Sequence, residues 1–464
     1  MVRTQWDVII VGAGPAGMAA ALELRRRKLD VLVLDRQQEP GGQVWRRAGS
    51  APQELVGFLG GEYEEGRAMV RQFRHSGAEF QAGAQVWHLL PGNVFASIAG
   101  RSHELCAKQI LIATGAMERP VPVPGWTEPG VLGAGAADVL LKAGGMTFDG
   151  PVVLCGNGPL ILQTLDHLLR LKVRVSGVAL TGSPKNSLRA MSRFYGAAAR
   201  PLYFMRGAGM ALRGLAARVP FYPGCSGLRL VKQGESFTAS FRSLGRERRL
   251  EGTTVLLHEG IISEQRITRL ARCSHTWEPL QRYWHVTADA WGSTSVSGIR
   301  AAGDCAGVRG VAASVVTGRM AALGIATELG VATMSERDAL ARPLRRKLAR
   351  CSAMQALTDR MFAPSPAQLQ PADDAIVCRC EELTAAELRS RISQGCMSPD
   401  SLKAQSRSGM GTCQGRMCSA AVAEMISQAW GIPMENLEPY HAQPPLIPLS
   451  IGELAEMDMP SFGM

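Results

Sequence analysis

No apolar run in this chain approaches the roughly 18 to 20 residues that cross a bilayer, so an integral helical membrane protein is not expected. Large-scale disorder is excluded as well. Charged residues are 20% and hydrophobic ones 46% of the 464, a globular balance, and the length suits two or three domains with sizeable cores. Too few residues precede the first apolar strand for a basic segment, an apolar segment and a cleavage site, so a cytoplasmic protein is expected. In that compartment the eleven cysteines do not make a disulfide framework. The net charge of +11 is spread along the chain without a nucleic-acid motif, so no nucleic-acid partner is expected. One stretch lacks charge of one sign altogether. Between residues 185 and 218 stand Lys185, Arg189, Arg193, Arg200, Arg206, Arg213 and Arg218, and no acid. That pattern is either a solvated helical face or a docking surface for an acidic subunit or a membrane.

What is present begins at Asp7. Val8, Ile9, Ile10 and Val11 form an apolar run too short for a helix and bounded by glycine, which reads as a buried parallel strand. Gly12, Gly14 and Gly17 follow at G-x-G-x-x-G spacing, with Pro15 and Ala16 between the last two. Gly12 permits the tight turn, Gly14 lets a pyrophosphate approach the backbone, and Gly17 lets a helix, predicted from Pro15 to about Arg27, pack on the strand. A second strand, Val31 to Leu34, ends at Asp35, whose carboxylate suits ribose hydroxyls, and Arg36 follows it. Strand, loop, helix and acid agree over a whole unit, which makes this a dinucleotide site. Gly41 and Gly42, followed by Gln43, predict a loop that wraps the ligand.

After a helix expected around Leu55 to His75, the string KQILIATG is another buried strand, ending in Ala113, Thr114 and Gly115. It resembles the ATG motif of flavoproteins built from two dinucleotide-binding domains, the glutathione reductase and thioredoxin reductase type. SVSGIRAAGDCAG, residues 295–307, resembles the strand and Gly303-Asp304 turn by which that class contacts its flavin, and a helix-forming stretch, Ala312 to Leu329, follows. The resemblance implies FAD, with Asp304 at its ribitol or pyrophosphate. The flavin domain is then discontinuous, residues 1–120 and 290–335, and a second domain, 121–289, is inserted after the proline-rich connector PVPVPG.

That second domain carries an imperfect fingerprint. Gly156 and Gly158 are present, but Ile161 takes the third glycine's place, and the strand Val173 to Leu180 ends without a ribose-binding acid or a phosphate-binding arginine. The residues leave three options open: NAD(P), another nucleotide such as ATP, or a scaffold. Cys155 stands alone there, so the Cys-x-x-Cys of thioredoxin reductase is absent. Residues 183–224 look like a helical, basic insertion. His258 and Glu259 close a strand, either as an acid/base pair or as a polar turn, and Cys305 is either a flavin neighbour or core packing.

Residues 336–372 are charged and then proline-bearing, and a linker is expected. Beyond it, Cys378 and Cys380 form a C-x-C pair, and Cys413 and Cys418 follow with four residues between them. Four soft thiolates suffice for zinc or an iron-sulfur cluster, and C-x-C is uncommon in zinc ribbons, so iron is preferred. The segment 373–430 is similar to the [2Fe-2S] module of bacterioferritin-associated ferredoxin. Cys396 lies outside the motif, as packing, and residues 431–464 are expected as a C-terminal tail.

With HEGIISEQ, WGSTSVSGIRAAGD, CRCEELT and PPLIPLSIGELA in this order, the chain resembles the FAD-binding large subunits of opine oxidases, hydrogen cyanide synthase and D-hydroxyproline dehydrogenase. The resemblance implies an α/β flavoprotein with two dinucleotide-binding domains and a small helical [2Fe-2S] domain. It also implies a smaller flavoprotein subunit, similar to D-amino-acid oxidases, and a small ferredoxin-like subunit. An amino acid, imino acid or opine would be oxidised at the partner's flavin, and electrons would leave singly through the cluster for this chain's FAD. A quinone or respiratory acceptor, with membrane association through partners, would fit the weak nicotinamide site. Two readings stay open beside it: a self-contained NAD(P)H-dependent reductase, and a non-catalytic docking subunit with a structural nucleotide.

Overall fold

The first apolar run lies at the centre of a sheet. In the computed structural model, which describes residues 5–455 and 457, strand β1 (Gln5–Val11) enters helix α1 (Pro15–Arg25) through the glycine loop. Strand β2 (Val31–Asp35) returns parallel to β1, Val8 opposite Val31. The helix expected around Leu55 to His75 is two, α2 (Gln53–Leu59) and α3 (Gly61–Arg74), because Gly60 at φ +85° interrupts it. Strands β3 (Glu79–Ala82), β4 (Gln85–Leu90), β5 (Asn93–Ile98) and β6 (Arg101–Ile112) join them in the order β3-β2-β1-β6-β5-β4. The early part of β6 pairs antiparallel with β5, while its end runs parallel to β1. Ile9, Ile10 and Ile110 to Ile112 are fully buried, as strands covered on both faces must be.

Strand β7 (Ala116–Glu118) leaves this sheet for a second one. There β8 (Val131–Gly133) leads into α4 (Ala134–Gly144), β9 (Val152–Asn157) into α5 (Pro159–Arg170), and β10 (Val175–Leu180) into α6 (Pro184–Ala190), α7 (Tyr195–Ala199) and α8 (Pro201–Ala216). After β11 (Phe221–Tyr222) comes an antiparallel sheet of β12 (Ser226–Gln233), β13 (Ser236–Ser243) and β14 (Arg246–Gly252), then β15 (Thr254–Glu259). The parallel order is β11-β10-β9-β15-β8. Strand β16 (Ile261–Ser263) pairs with β7, so the outward and return connections run side by side. Ile161 is fully buried with Ala134, Ala137 and Leu165, its bulk filling the core around α5.

The chain then returns to the first sheet through α9 (Arg266–Leu270), the hairpin β17 (His275–Glu278) and β18 (Tyr283–Val286), and β19 (Ile299–Ala301), which lies parallel to β6. Helix α10 (Val311–Glu328) packs on α1 at a distance only small residues allow: a Cβ on Gly318 would stand 2.2 Å from the Ala16 carbonyl oxygen.

The expected linker is mostly helix. Helix α11 (Met334–Met361) spans 28 residues and starts at Thr333, whose hydroxyl accepts from the Glu336 N–H at 3.2 Å. Ala341, Leu344, Cys351, Met354 and Leu357 bury one stripe of it, which outweighs the high charge of its other face. Only 362–372 remains as a strap. The cysteine-bearing unit follows: β20 (Ile376–Cys378), β21 (Leu383–Thr384), α12 (Ala385–Ser393), α13 (Pro399–Ser406) and α14 (Ser419–Trp430), with capping boxes at Thr384 and Ser398. The segment expected as a tail is no free end. Met434, Leu437 and Tyr440 belong to this unit's core, and Leu446 is buried on the first sheet, its N–H donating to the Trp87 carbonyl at 3.0 Å. Helix α15 (Ile451–Ala455) follows; residue 456 and residues 458–464 of the expected tail lie outside the described residues. Among the described residues no helix is long and apolar enough to cross a membrane.

Candidate functional site

The carboxyl ends of β1, β2, β6 and β19 open onto a cavity of about 320 Å³, the position where open α/β sheets bind ligands. Of the residues expected there, Gly12, Gly14, Pro15, Ala16, Asp35, Arg36, Gly42, Gln43, Ala113, Thr114, Gly115, Gly303 and Asp304 line it. Gly17 and Gly41 stand behind it and shape it. A Cβ on Gly17 would lie 1.9 Å from the Gly12 carbonyl oxygen, and the Gly41 N–H donates to the Ala13 carbonyl at 2.8 Å. Gly12 itself has φ +111° and sits so close to Ala113 that a Cβ would be 2.4 Å from its oxygen.

Two half-buried acids fix the loops. Asp35 accepts from the Ala13 N–H at 2.7 Å and the Gln37 N–H at 2.8 Å. Asp304 accepts from the N–H groups of Arg309 and Gly310 and from the Ser314 hydroxyl, at 3.0, 3.2 and 3.2 Å, at the start of α10. Burial pushes both carboxyls above their ordinary value, against these hydrogen bonds. Two polar atoms of cavity-lining residues, Thr114 Oγ1 and Arg46 Nε, are buried without a hydrogen-bond partner among the described residues. A ligand rich in phosphate and hydroxyl oxygens supplies what they lack, and FAD fits that set. Cys305 is not among the lining residues. Its thiol is buried, 3.2 Å from the Ala302 carbonyl oxygen, and burial pushes it up to about 11, which makes it core packing.

Other lining residues come from segments that carry no flavin motif: Arg46, Glu264, Arg266, Arg416 and Leu446. Glu264 accepts from Arg266 Nε at 3.0 Å and stands 3.5 Å from Arg416 Nε. Burial opposes its ionisation, but the two guanidinium groups hold the carboxyl below its ordinary value.

Arg416 belongs to the cysteine-bearing unit. Cys378 ends β20, Cys380 follows two residues on, Cys413 lies in the turn before α14, and Cys418 caps that helix. The thiols meet as two hydrogen-bonded pairs, Cys378 with Cys418 and Cys380 with Cys413. The Cys418 bond, with N–H groups of Gly409, Glu381 and Cys380, pulls the Cys378 thiol down to about 6 despite burial. Among the described residues no group of three or more His, Cys, Asp or Glu side chains gathers as a single metal ion would need. Two thiol pairs instead suit a two-iron cluster with two thiolates on each iron. Tyr440 closes the site from the C-terminal segment, its hydroxyl 2.9 Å from Ser408 Oγ and 4.0 Å from Cys418 Sγ. Cys396 is buried in the same core.

The second crevice is filled from within the chain. Gly156 has φ +141° and leaves no room for a Cβ, which would stand 1.8 Å from the His258 carbonyl oxygen, and Gly158 faces the His258 ring. His258 Nδ1 lies 2.6 Å from Glu118 Oε1, and the Thr181 hydroxyl donates to Glu259. The two residues that close β15 thus brace neighbouring elements. Over the glycine loop lies the strap after α11: Asn157 Nδ2 donates to the Phe362 carbonyl at 2.9 Å, and Asn186 Nδ2 to the Ala363 carbonyl at 3.0 Å. Gln368 Nε2 donates to the Thr181 carbonyl at 3.3 Å, at the strand end where a ribose-binding acid would stand.

Fold and site together define a flavin- and iron-sulfur-dependent oxidoreductase. The family described as pyridine nucleotide-disulphide oxidoreductase matches residues 6–322, and the BFD-like [2Fe-2S] binding domain matches residues 376–428. The chain belongs to the pyridine nucleotide-disulphide oxidoreductase family, within the group formed by opine oxidase and hydrogen cyanide synthase subunits. It is 36% identical over 459 residues to an opine oxidase subunit of Rhizobium meliloti strain 1021, covering 98% of this chain and 99% of that one. The corresponding Agrobacterium tumefaciens protein is 33% identical, over 97% and 92%, and the HcnB subunit of hydrogen cyanide synthase from Pseudomonas protegens 31%, over 91% and 92%. Among solved structures, L-proline dehydrogenase from P. horikoshii shares the fold with a TM-score of 0.69 at 17% identity, over 97% of this chain and 80% of that one. Thioredoxin reductase of T. acidophilum does so at 0.52 and 19%, over 70% and 99%. The cofactors are FAD and a [2Fe-2S] cluster.

Proposed function

We propose that this chain is the electron-transfer subunit of a hetero-oligomeric dehydrogenase. The C–N bond of an amino acid, imino acid or opine would be oxidised at the flavin of a smaller, D-amino-acid-oxidase-like subunit. The observation that carries this reading is the seating of the cysteine loop on the flavin cavity. Arg416, between Cys413 and Cys418, lines that cavity, and the Cys413 carbonyl oxygen accepts from Arg266 at 3.4 Å. The strap over Gly156, Asn157 and Thr181 supports it further, since a nicotinamide dinucleotide would need the same space. The relatives that match over nearly their full length carry the word subunit in their names, which favours a partner for this chain.

FAD exchanges one or two electrons and a [2Fe-2S] cluster one, so the pair joins two-electron chemistry to single-electron transfer. The residues supply the rest. The Gly12 loop and the α1 N-terminus offer N–H groups to a pyrophosphate, Asp35 is placed for ribose hydroxyls, and Asp304 holds the start of α10 beneath the cavity. Both acids are engaged by backbone N–H groups, which leaves proton abstraction from an amine to the partner. Arg416 and Leu446 add to the cavity's lining from the C-terminal part of the chain.

The test is affinity purification of the full chain from its own cells. A smaller flavoprotein should copurify, and the complex should oxidise an opine or amino acid while the separated chain does not. Amine turnover by the separated chain would contradict the proposal.

A further inference from the structure

Helices α6, α7 and α8 carry large apolar side chains on the outside of the second domain. Leu202 is 81% exposed, Leu188 76% and Met205 65%, and Met191, Phe194, Leu212 and Leu215 are exposed beside them. On α8 only Met210 and Gly214 are buried, where the helix rests on α5. At 100° per residue, Leu202, Met205, Leu212 and Leu215 share the opposite arc, with Arg206 and Arg213 at its border. A surface helix normally turns its apolar stripe inward; this one has a second apolar stripe facing out.

The charge of this face is of one sign. Between residues 185 and 218 there are seven cations and no carboxylate. Arg206 pairs with Glu62 at 3.5 Å and Arg213 pairs with Asp166, but Lys185, Arg189, Arg193 and Arg218 have no carboxylate partner among the described residues. A separate cavity of about 390 Å³ at the foot of α6 is lined by Lys185, Arg189 and Arg360, together with Ser183 and Ser365. No Asp or Glu lines it; its fourth cation, Arg282, is held by Glu424 at 2.5 Å. Exposed Leu, Met and Phe beside unpaired Lys and Arg match a bilayer surface, where acyl chains take the former and anionic headgroups the latter. An acidic protein face would satisfy the cations but not, by itself, the outward apolar stripe.

We propose that α6, α7 and α8 form a peripheral docking surface for an anionic lipid bilayer. Helix α8 lies in the plane of the interface with Leu202, Met205, Leu212 and Leu215 inserted, and Lys185, Arg189 and Arg360 take a headgroup phosphate.

Flotation of the full, cofactor-loaded chain tests this. It should float with vesicles of phosphatidylcholine containing roughly 30% phosphatidylglycerol, at least about tenfold better than with phosphatidylcholine alone, and lose much of that binding in about 1 M salt. The double variant Leu202→Glu, Leu212→Glu should keep its flavin and iron absorbance and lose flotation about tenfold. A second double variant, Lys185→Gln, Arg189→Gln, should weaken binding to anionic vesicles only. Absence of flotation by the wild-type chain, equal flotation on neutral vesicles, or unchanged binding by both variants would overturn the proposal. So would protection of this face by a copurifying protein in the absence of lipid.

Discussion

Arg416 Nε lies 3.5 Å from Glu264 Oε2, so a residue set between Cys413 and Cys418 pairs with a residue of the flavin cavity. The contact joins the C-terminal unit to the first sheet at the point where two redox groups would have to communicate. Arg282, bidentate to Glu424 at 2.8 and 2.5 Å, and Trp126, donating to the Ile376 carbonyl at 2.7 Å, hold the same unit elsewhere.

Removing that contact should affect communication more than binding. Arg416→Ala is expected to retain FAD and iron but to slow amine-to-acceptor turnover of the reconstituted complex about tenfold, with KM for the amine little changed. Steady-state kinetics beside cofactor analysis checks this, and a variant with normal turnover contradicts it.

Cys418→Ser should separate the two cofactor sites. Iron is expected to fall from about two per chain towards none, while FAD stays, because no residue lining the flavin cavity is a proposed iron ligand. Iron assay and flavin extraction on one preparation check it.

Glu259 gives a pH dependence. Burial pushes its carboxyl up to about 7 from an ordinary 4.5, with Thr181 and Arg119 opposing. The folded chain therefore keeps a proton that the unfolded chain loses above 4.5, so this residue's contribution to stability falls as pH rises from about 4.5 to 7 and is level above that. Glu259→Gln should gain thermal stability relative to the wild type across that window, seen as a difference in Tm that grows to about pH 7 and then stays constant. A pH-independent difference would contradict the assignment.

The strap should be worth a measurable fraction of stability. The double variant Asn157→Ala, Gln368→Ala removes donors to the Phe362 and Thr181 carbonyls, at about 1 kcal/mol each, so Tm should fall by about 2 °C. Limited proteolysis should then cut faster within 362–372. An unchanged cutting pattern would mean that the strap is held by other contacts.

The flavin site is legible wherever its chemistry is local. The unit from Gly12 to Asp35 writes strand, turn, helix and acid into one short stretch, and the ends of β6 and β19 carry motifs of their own. The cysteine spacing likewise marks a module without any knowledge of contacts. Arg416, Glu264 and Leu446 reach the cavity from remote segments, and nothing in their neighbours' composition signals that approach. Helix α11 reads as a connector because its charge is conspicuous and its buried stripe, Ala341 to Leu357, is thin. Gly156 and Gly158 keep the form of a dinucleotide loop, while the strap that covers them lies some two hundred residues away. The segment beyond 431 reads as a tail because prolines break its pattern, yet Tyr440 and Leu446 anchor it on both cofactor units.

Whether electrons enter from a partner or from a nicotinamide is decided most directly by adding NADH, and then NADPH, anaerobically to the FAD- and iron-loaded chain. The flavin absorbance should stay unchanged over minutes with both, and bleach only when the partner flavoprotein and its amine substrate are added. Rapid bleaching by either nicotinamide in the isolated chain would contradict the account.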